Sequence, residues 1–195
     1  GEVLIDGVSV KDYTLESLRD GIGMVLQKNI LFSGTIKDNL KWGDENATDE
    51  EIRAAAESAQ ADGFVSSFTD GYDMKLDQGG VNVSGGQKQR LCIARAILKK
   101  PKILILDDST SAVDTFTDSK IRTGLRSCIP DTTKIIIAQR ISSVSDCDKI
   151  IILEEGSIND IGTHEELLQR NEIYKDIYES QQKASDDFDA VGGGE

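Results

Sequence analysis

No apolar stretch in this 195-residue chain approaches the roughly 20 residues a membrane-crossing helix needs. The N-terminal Gly1-Glu2-Val3 has no signal-peptide character. No Gly-Lys pair occurs anywhere. The Gly-x-x-x-x-Gly-Lys-Ser/Thr loop that cradles nucleotide phosphates is therefore missing from these residues. Basic residues are scarce: 22 Lys and Arg stand against 35 Asp and Glu, a net charge of −13. That balance argues against binding nucleic acid or an anionic membrane through bulk charge. Part of the negative charge sits in the tail, at Asp186, Asp187, Asp189 and Glu195. Cys92, Cys128 and Cys147 are odd in number and scattered, without metal-ligand spacing, and read as reduced thiols. The single histidine, His164, lies in Gly162-Thr163-His164-Glu165-Glu166. Thr163 and Glu166 there form a helix-capping box, which gives His164 a structural role.

What remains suits a soluble globular protein, with 38% hydrophobic and 29% charged residues. Glu2 to Val10 alternates around Asp6-Gly7 and reads as a hairpin. Thr14 to Leu18 is a short helix, and Ile22 to Leu26 is a strand ending at Gln27. Thr48 to Glu51 is a capping box ahead of an alanine-rich helix from Ile52 to Ala61. Phe64 to Asp77, broken by Gly71, is a short helix and a loop, and Gly79-Gly80 is a hinge. Ile103 to Leu106, Lys134 to Ala138 and Lys149 to Leu153 are short, apolar and β-branched. Such runs suit strands buried on both faces of a parallel sheet. Helices at Thr117 to Ser127 and Ile141 to Asp146 complete a βαβ rhythm. A turn at Glu154-Glu155-Gly156 leads to a strand, Ser157 to Ile161, and then to a helix from Glu165 to about Gln182. Residues 183–195 are polar, end in glycine and are expected to be disordered.

The most informative run is Val83-Ser84-Gly85-Gly86-Gln87-Lys88-Gln89-Arg90. Serine can cap the helix that follows, and bare glycine backbone lets a ligand approach. Exposed N–H groups at a helix start attract phosphate. Downstream, Lys102 to Asp108 is an apolar run ending in two carboxylates. Together these segments resemble the signature motif and the Walker B strand of ABC-type ATPases. The resemblance implies an α/β fold: a RecA-like P-loop NTPase core with a parallel sheet, plus an ABC α-helical subdomain. Residues 1–27 and 100–182 would form the core, 28–99 the helical subdomain and 183–195 the tail. The family places its P-loop and its adenine-stacking aromatic upstream of a segment matching Gly1-Glu2-Val3, so the chain resembles a truncated domain. Alone it is expected to bind nucleotide weakly or not at all and to be inactive.

Roles follow from the resemblance residue by residue. Asp107 matches the aspartate that holds Mg²⁺ through water, chemistry that suits a hard cation. Gln27 matches the Q-loop glutamine, which touches Mg²⁺ and links to the membrane domain. The stretch Asn29 to Ile36 resembles the exporter segment that receives coupling helices of the transmembrane domain; Trp42 either joins that surface or packs. Ser84, Gly85, Gly86 and Gln87 would act in trans, closing on ATP held by a second nucleotide-binding domain. Ser111 to Asp114 match the D-loop, with Asp114 at the dimer interface. Leu76 to Gly80 lies where exporters carry a Gly-Glu-Arg-Gly core, of which only Gly80 fits well.

Two positions depart from the pattern. Asp108 stands where the family carries the glutamate that polarises water. Its carboxylate is shorter by one methylene, roughly 1 Å, and a misplacement of that size costs about a hundredfold in rate. Gln139 stands where histidine contacts the γ-phosphate, and it cannot titrate. Together they resemble the degenerate half of a heterodimeric ABC exporter, paired with a subunit carrying glutamate and histidine. ATP and Mg²⁺ are the implied cofactors, and the cytoplasmic face of the cell membrane is the implied location. Two alternatives stay open: a non-transport ABC-type ATPase, which would show coiled-coil insertions or basic patches, and a non-enzymatic interaction module. Cargo is not readable from these residues.

Overall fold

The computed structural model describes the backbone of residues 1–108 and 112–192, with side chains through Lys183. Two compact units divide the chain, Gly1–Ile137 and Ala138–Glu195.

The first unit opens with the expected hairpin, β1 (Leu4–Ile5) and β2 (Val8–Ser9). Asp6 and Gly7 have φ of 50° and 79°, the left-handed pair that a tight hairpin turn requires. Helix α1 (Leu15–Gly21) is capped by the Thr14 hydroxyl, and β3 (Ile22–Val25) follows without a loop. The middle of the chain supplies β4 (Gly34–Thr35), α2 (Ile36–Lys41), α3 (Asp49–Ser58), α4 (Asp62–Ser67), β5 (Lys75–Leu76) and α5 (Gly85–Leu98). Thr35, Thr48 and Ser84 begin α2, α3 and α5 with reciprocal capping boxes. Then come β6 (Ile103–Asp107), α6 (Thr115–Cys128) and β7 (Thr133–Ile137).

β3, β6 and β7 form a three-stranded parallel sheet in that order, with Met24 opposite Ile105 and Ile105 opposite Ile135. Parallel neighbours need crossovers. The helices α2 to α5 connect β3 to β6, and α6 connects β6 to β7. Leu31, Ile36, Ile52, Leu91, Ile93, Leu104 and Ile121 belong to one buried cluster. That cluster runs through segments 1–27, 28–99 and beyond, so the first unit shares a single core. The expectation of strands buried on both faces is corrected for this chain. Val25, Leu104 and Leu106 are buried on one face, whereas Met24, Ile135 and Ile137 on the other are 54%, 47% and 52% exposed. Strand side chains alternate, so an uncovered face shows as every second residue.

The second unit holds β8 (Ile150–Glu154), β9 (Ser157–Gly162), α7 (His164–Arg170) and α8 (Glu172–Gly192) around Ile141, Ile150, Leu167 and Tyr174. Four further expectations are corrected here. The third apolar run does not join the parallel sheet: β8 pairs antiparallel with β9. Left-handed Glu155 and Gly156 (φ 46° and 78°) send the chain straight back. Ile141 to Asp146 is a single 3₁₀ turn over Ile141–Ser143 rather than a helix. The helix expected from Glu165 to Gln182 is two helices, because Asn171 ends α7 with extended backbone while its Oδ1 accepts the Tyr174 N–H at 2.9 Å. Finally, α8 runs to Gly192 rather than stopping at Gln182. No proline or glycine interrupts it sooner, and residues 193–195 lie outside the described residues.

His164 takes the structural role expected of it. Its Nδ1 lies 2.8 Å from the Tyr174 hydroxyl, and Thr163 and Glu166 make the capping box. Burial pushes the Tyr174 phenol from 10.0 up to about 12. The folded state therefore resists ionisation that the unfolded state undergoes. Stability from this group is present below pH 10 and is lost as pH rises through about 12. In alkaline titration followed by near-ultraviolet absorbance and circular dichroism, Tyr174→Phe is expected to flatten the loss of the second unit's structure across that window.

Candidate functional site

The signature run forms the start of α5. Ser84 takes extended backbone, its Oγ accepts the Gln87 N–H at 3.2 Å, and Gln87 Oε1 accepts the Ser84 N–H at 2.9 Å. That reciprocal cap leaves the N–H groups of Gly85 and Gly86 without a partner inside the helix, at its positive end. Ser84 and Gly85 are exposed, and Gly86 and Gln87 are half-buried. A Cβ on Gly86 would stand 2.9 Å from the Ala112 carbonyl oxygen, so only glycine lets that backbone pass. Arg90 lies one turn further along the same face, and its Nε donates to the Gly86 carbonyl at 3.2 Å. Its Nη1 donates to the Gln60 carbonyl at 2.7 Å, and its guanidinium sits 4.7 Å from the Phe64 ring centroid. Burial lowers the pKa of that guanidinium.

The two carboxylates close β6. Asp107 is its last residue, and Asp108 follows with φ 45°, a left-handed conformation that costs a non-glycine residue energy. The Asp108 N–H donates to the Ile137 carbonyl at 2.9 Å, which ties the strand end to β7. Gln27, past the end of β3, donates from Nε2 to Asp108 Oδ2 at 3.2 Å. The structure thus gathers Gln27 and Asp108, with Asp107 beside them, at the carboxyl edge of a parallel sheet, where α/β folds bind ligands. Oxygen donors of this kind fit a Mg²⁺ ion that keeps several waters and leans on substrate phosphates. Among the described residues no three His, Cys, Asp or Glu side chains cluster as a metal cage.

Asp114 caps α6 by accepting the Thr117 N–H at 2.9 Å, and this backbone donor holds its carboxyl below the usual range. Ser111, matched above to the D-loop, lies outside the described residues. Gln139 belongs to the second unit, where its carbonyl accepts from Gln181 Nε2 at 2.9 Å.

The loop after Gln27 is held by Asn39, which is 2% exposed. Its Oδ1 accepts the Phe32 N–H at 2.8 Å, and its Nδ2 donates to the Phe32 and Thr35 carbonyls at 2.9 and 3.0 Å. Phe32 stacks on Trp42 with ring centroids 4.6 Å apart, and the pair stays 42% and 68% exposed. Gly79 and Gly80 carry φ of 74° and 62°, and the Gly79 N–H donates to the Leu31 carbonyl, joining both loops.

Sequence reasoning missed Gln89 and Asn39. Gln89 is 1% exposed; its Nε2 donates to the Asp108 carbonyl at 3.4 Å and its Oε1 accepts the Ala112 N–H at 3.2 Å. Its signal was a polar residue at helical spacing from Cys92, Ile93 and Ala96, on the face that packs inward.

Residues 1–111 match the ABC transporter family. Over 181 residues, 93% of this chain, the sequence is 46% identical to an uncharacterized ABC transporter ATP-binding protein of Bacillus subtilis and equally to a putative multidrug export ATP-binding/permease protein of Staphylococcus aureus. The chain spans 31% of the length of either relative. A bacterial Atm1-family ABC exporter with ATP bound shares its fold with a TM-score of 0.88 and 38% identity, over 93% of this chain and 32% of that one.

Proposed function

This chain belongs to the ABC transporter family, and from that premise we propose that it is the ATP-binding subunit of an exporter in which its own nucleotide site is slow and its signature helix serves the site of a partner subunit. Its fold is that of the family's nucleotide-binding domain, mixed α/β with a parallel sheet. The reading rests most on one contrast. The start of α5 keeps its reciprocal cap and leaves Ser84 and Gly85 exposed, whereas the proposed catalytic carboxylate position holds Asp108.

In this reading Gly85 and Gly86 offer N–H groups to the γ-phosphate of ATP held by the partner. The Ser84 hydroxyl, fixed by its cap, adds a further contact. Phosphoryl transfer needs mainly positioning and charge stabilisation, which oriented backbone dipoles supply. In the chain's own site, Asp107 would hold Mg²⁺ through water; the cation neutralises phosphate charge when bound. Gln27 spends its Nε2 on Asp108, so its Oε1 is the atom left to face a hard cation. Asp108 would orient water only weakly, since general-base work depends first on reach. Gln139 would offer one hydrogen bond in place of a titratable imidazole. Asp114, at the cap of α6, would lie at the dimer interface.

Phe32 and Trp42 give the stretch after Gln27 an exposed aromatic platform, suited to an amphipathic coupling helix of a transmembrane domain. The named relatives favour export over a non-transport ATPase. The working location is then the cytoplasmic face of a membrane.

Residues 1–195 alone contain no Gly-Lys pair to cradle phosphates. Calorimetric titration of the isolated chain with Mg-ATP is expected to show a Kd weaker than about 1 mM, under about 4 kcal/mol of binding free energy. A micromolar Kd would overturn the expectation of weak binding, because the chain would then hold nucleotide without that loop.

A further inference from the structure

We propose that Gln89 is a positioning residue that couples nucleotide occupancy at the start of α5 to the placement of Asp108. The inference rests on the reading above, in which a partner's nucleotide closes on Ser84 to Gln87.

One side chain spans both ends of the segment that follows β6. Gln89 Nε2 holds the Asp108 carbonyl and Oε1 holds the Ala112 N–H. Both amide ends are matched donor to acceptor, so a flipped amide would face donor with donor and acceptor with acceptor. The side chain is 1% exposed, which leaves no water to replace either bond. The bracket has a second wall. A Cβ built on Gly86 would stand 3.6 Å from Val113 Cγ1 and only 2.9 Å from the Ala112 carbonyl oxygen, so the backbone there leaves no room for one.

Asp108 and Ala112 are therefore each held by a side chain of α5 as well as by their own chain. Asp108 benefits from such support, since its φ of 45° lies in the left-handed region, which costs a non-glycine residue energy. Its other anchors include the Ile137 carbonyl and the Gln27 amide. Gln89 is the anchor that shares a helix with the phosphate-facing glycines. Displacing the first turn of α5 displaces Gln89 one turn further along, and with it the backbone carrying the carboxylate. A packed helix moves as a body.

The test is hydrogen–deuterium exchange on the full-length assembled transporter, with and without Mg-ATP, in wild type, Gln89→Met and Gln89→Glu. In wild type, nucleotide is expected to slow exchange at residues 84–88 and, by about tenfold, at the amides of Asp108 and Ala112. In Gln89→Met the slowing at 84–88 should persist, while slowing at Asp108 and Ala112 should fall below about twofold. Equal slowing in both proteins would overturn the coupling. No slowing at 84–88 in wild type would instead overturn the trans reading.

A nucleotide-free arm tests the bracket separately. Glutamate buried at position 89 holds its proton readily, and the protonated carboxyl can donate to Asp108 and accept from Ala112. Ala112 protection in Gln89→Glu, corrected for intrinsic exchange, should approach wild type as pH falls and stay low in Gln89→Met at every pH. Wild-type protection in Gln89→Met would overturn the bracket whatever the nucleotide does.

Discussion

Changing Asp108 to glutamate together with Gln139 to histidine, in the full-length pair, is expected to raise ATP hydrolysis by roughly tenfold to a hundredfold. The physical cause is reach. Asp108 leaves the end of β6 with left-handed backbone, and its Oδ2 is engaged by the Gln27 amide at 3.2 Å. An added methylene carries the carboxylate outward by roughly 1 Å, the scale on which misplacement costs about two orders of magnitude. Histidine at position 139 restores a group that can hold a positive charge near neutral pH. Steady-state turnover at saturating Mg-ATP checks the result, and nucleotide affinity should change little. Turnover equal to the unmodified pair would mean that elements other than these two positions keep the site slow.

The second large effect is expected from Gly86→Ala. The new Cβ would meet the Ala112 carbonyl oxygen at 2.9 Å, a backbone atom that cannot rotate away. Overpacking of this kind costs about 1–3 kcal/mol. The fold should survive, with Leu91, Ile93 and Leu104 fully buried beneath it. The first turn of α5, however, would shift or its loop would retreat. Because that turn is proposed to serve the partner's ATP, hydrolysis at the partner's intact site is expected to fall by about a hundredfold. Turnover and the melting temperature of the assembled pair separate the two effects. Activity within about twofold of wild type, with Tm preserved, would remove the signature helix from catalysis.

What the residues disclosed, and what they hid, follows from the range of the forces involved. Local chemistry was legible. The Asp6-Gly7 turn, the caps at Thr48, Ser84 and Thr163, and the apolar runs at β6 and β7 depend on neighbours a few positions away. Ser84 to Gln87 and the Asp107-Asp108 pair were legible for the same reason. Sheet membership was not: β8 has the composition of a buried parallel strand, but a left-handed turn at Glu155-Gly156 pairs it antiparallel. Asn171 was read as helix interior because its dual use, ending α7 and capping α8, needs the Tyr174 N–H to turn towards it. Gln89 was hidden most completely, since its partners lie 19 and 23 residues away and both are backbone atoms that carry no side-chain signal. Asn39 shows the same pattern on the loop from Phe32 to Thr35.

Asymmetry between two subunits is the claim on which the other expectations lean, and one measurement reaches it directly. The full-length protein carrying this chain would be purified from its native membranes by affinity tag, and the associated proteins identified by mass spectrometry. Recovery of a second half-transporter, with glutamate and histidine at the positions matching Asp108 and Gln139, is the expected result. Recovery of this protein alone, as a dimer of identical subunits, would contradict it and leave both nucleotide sites with the same weakened residues.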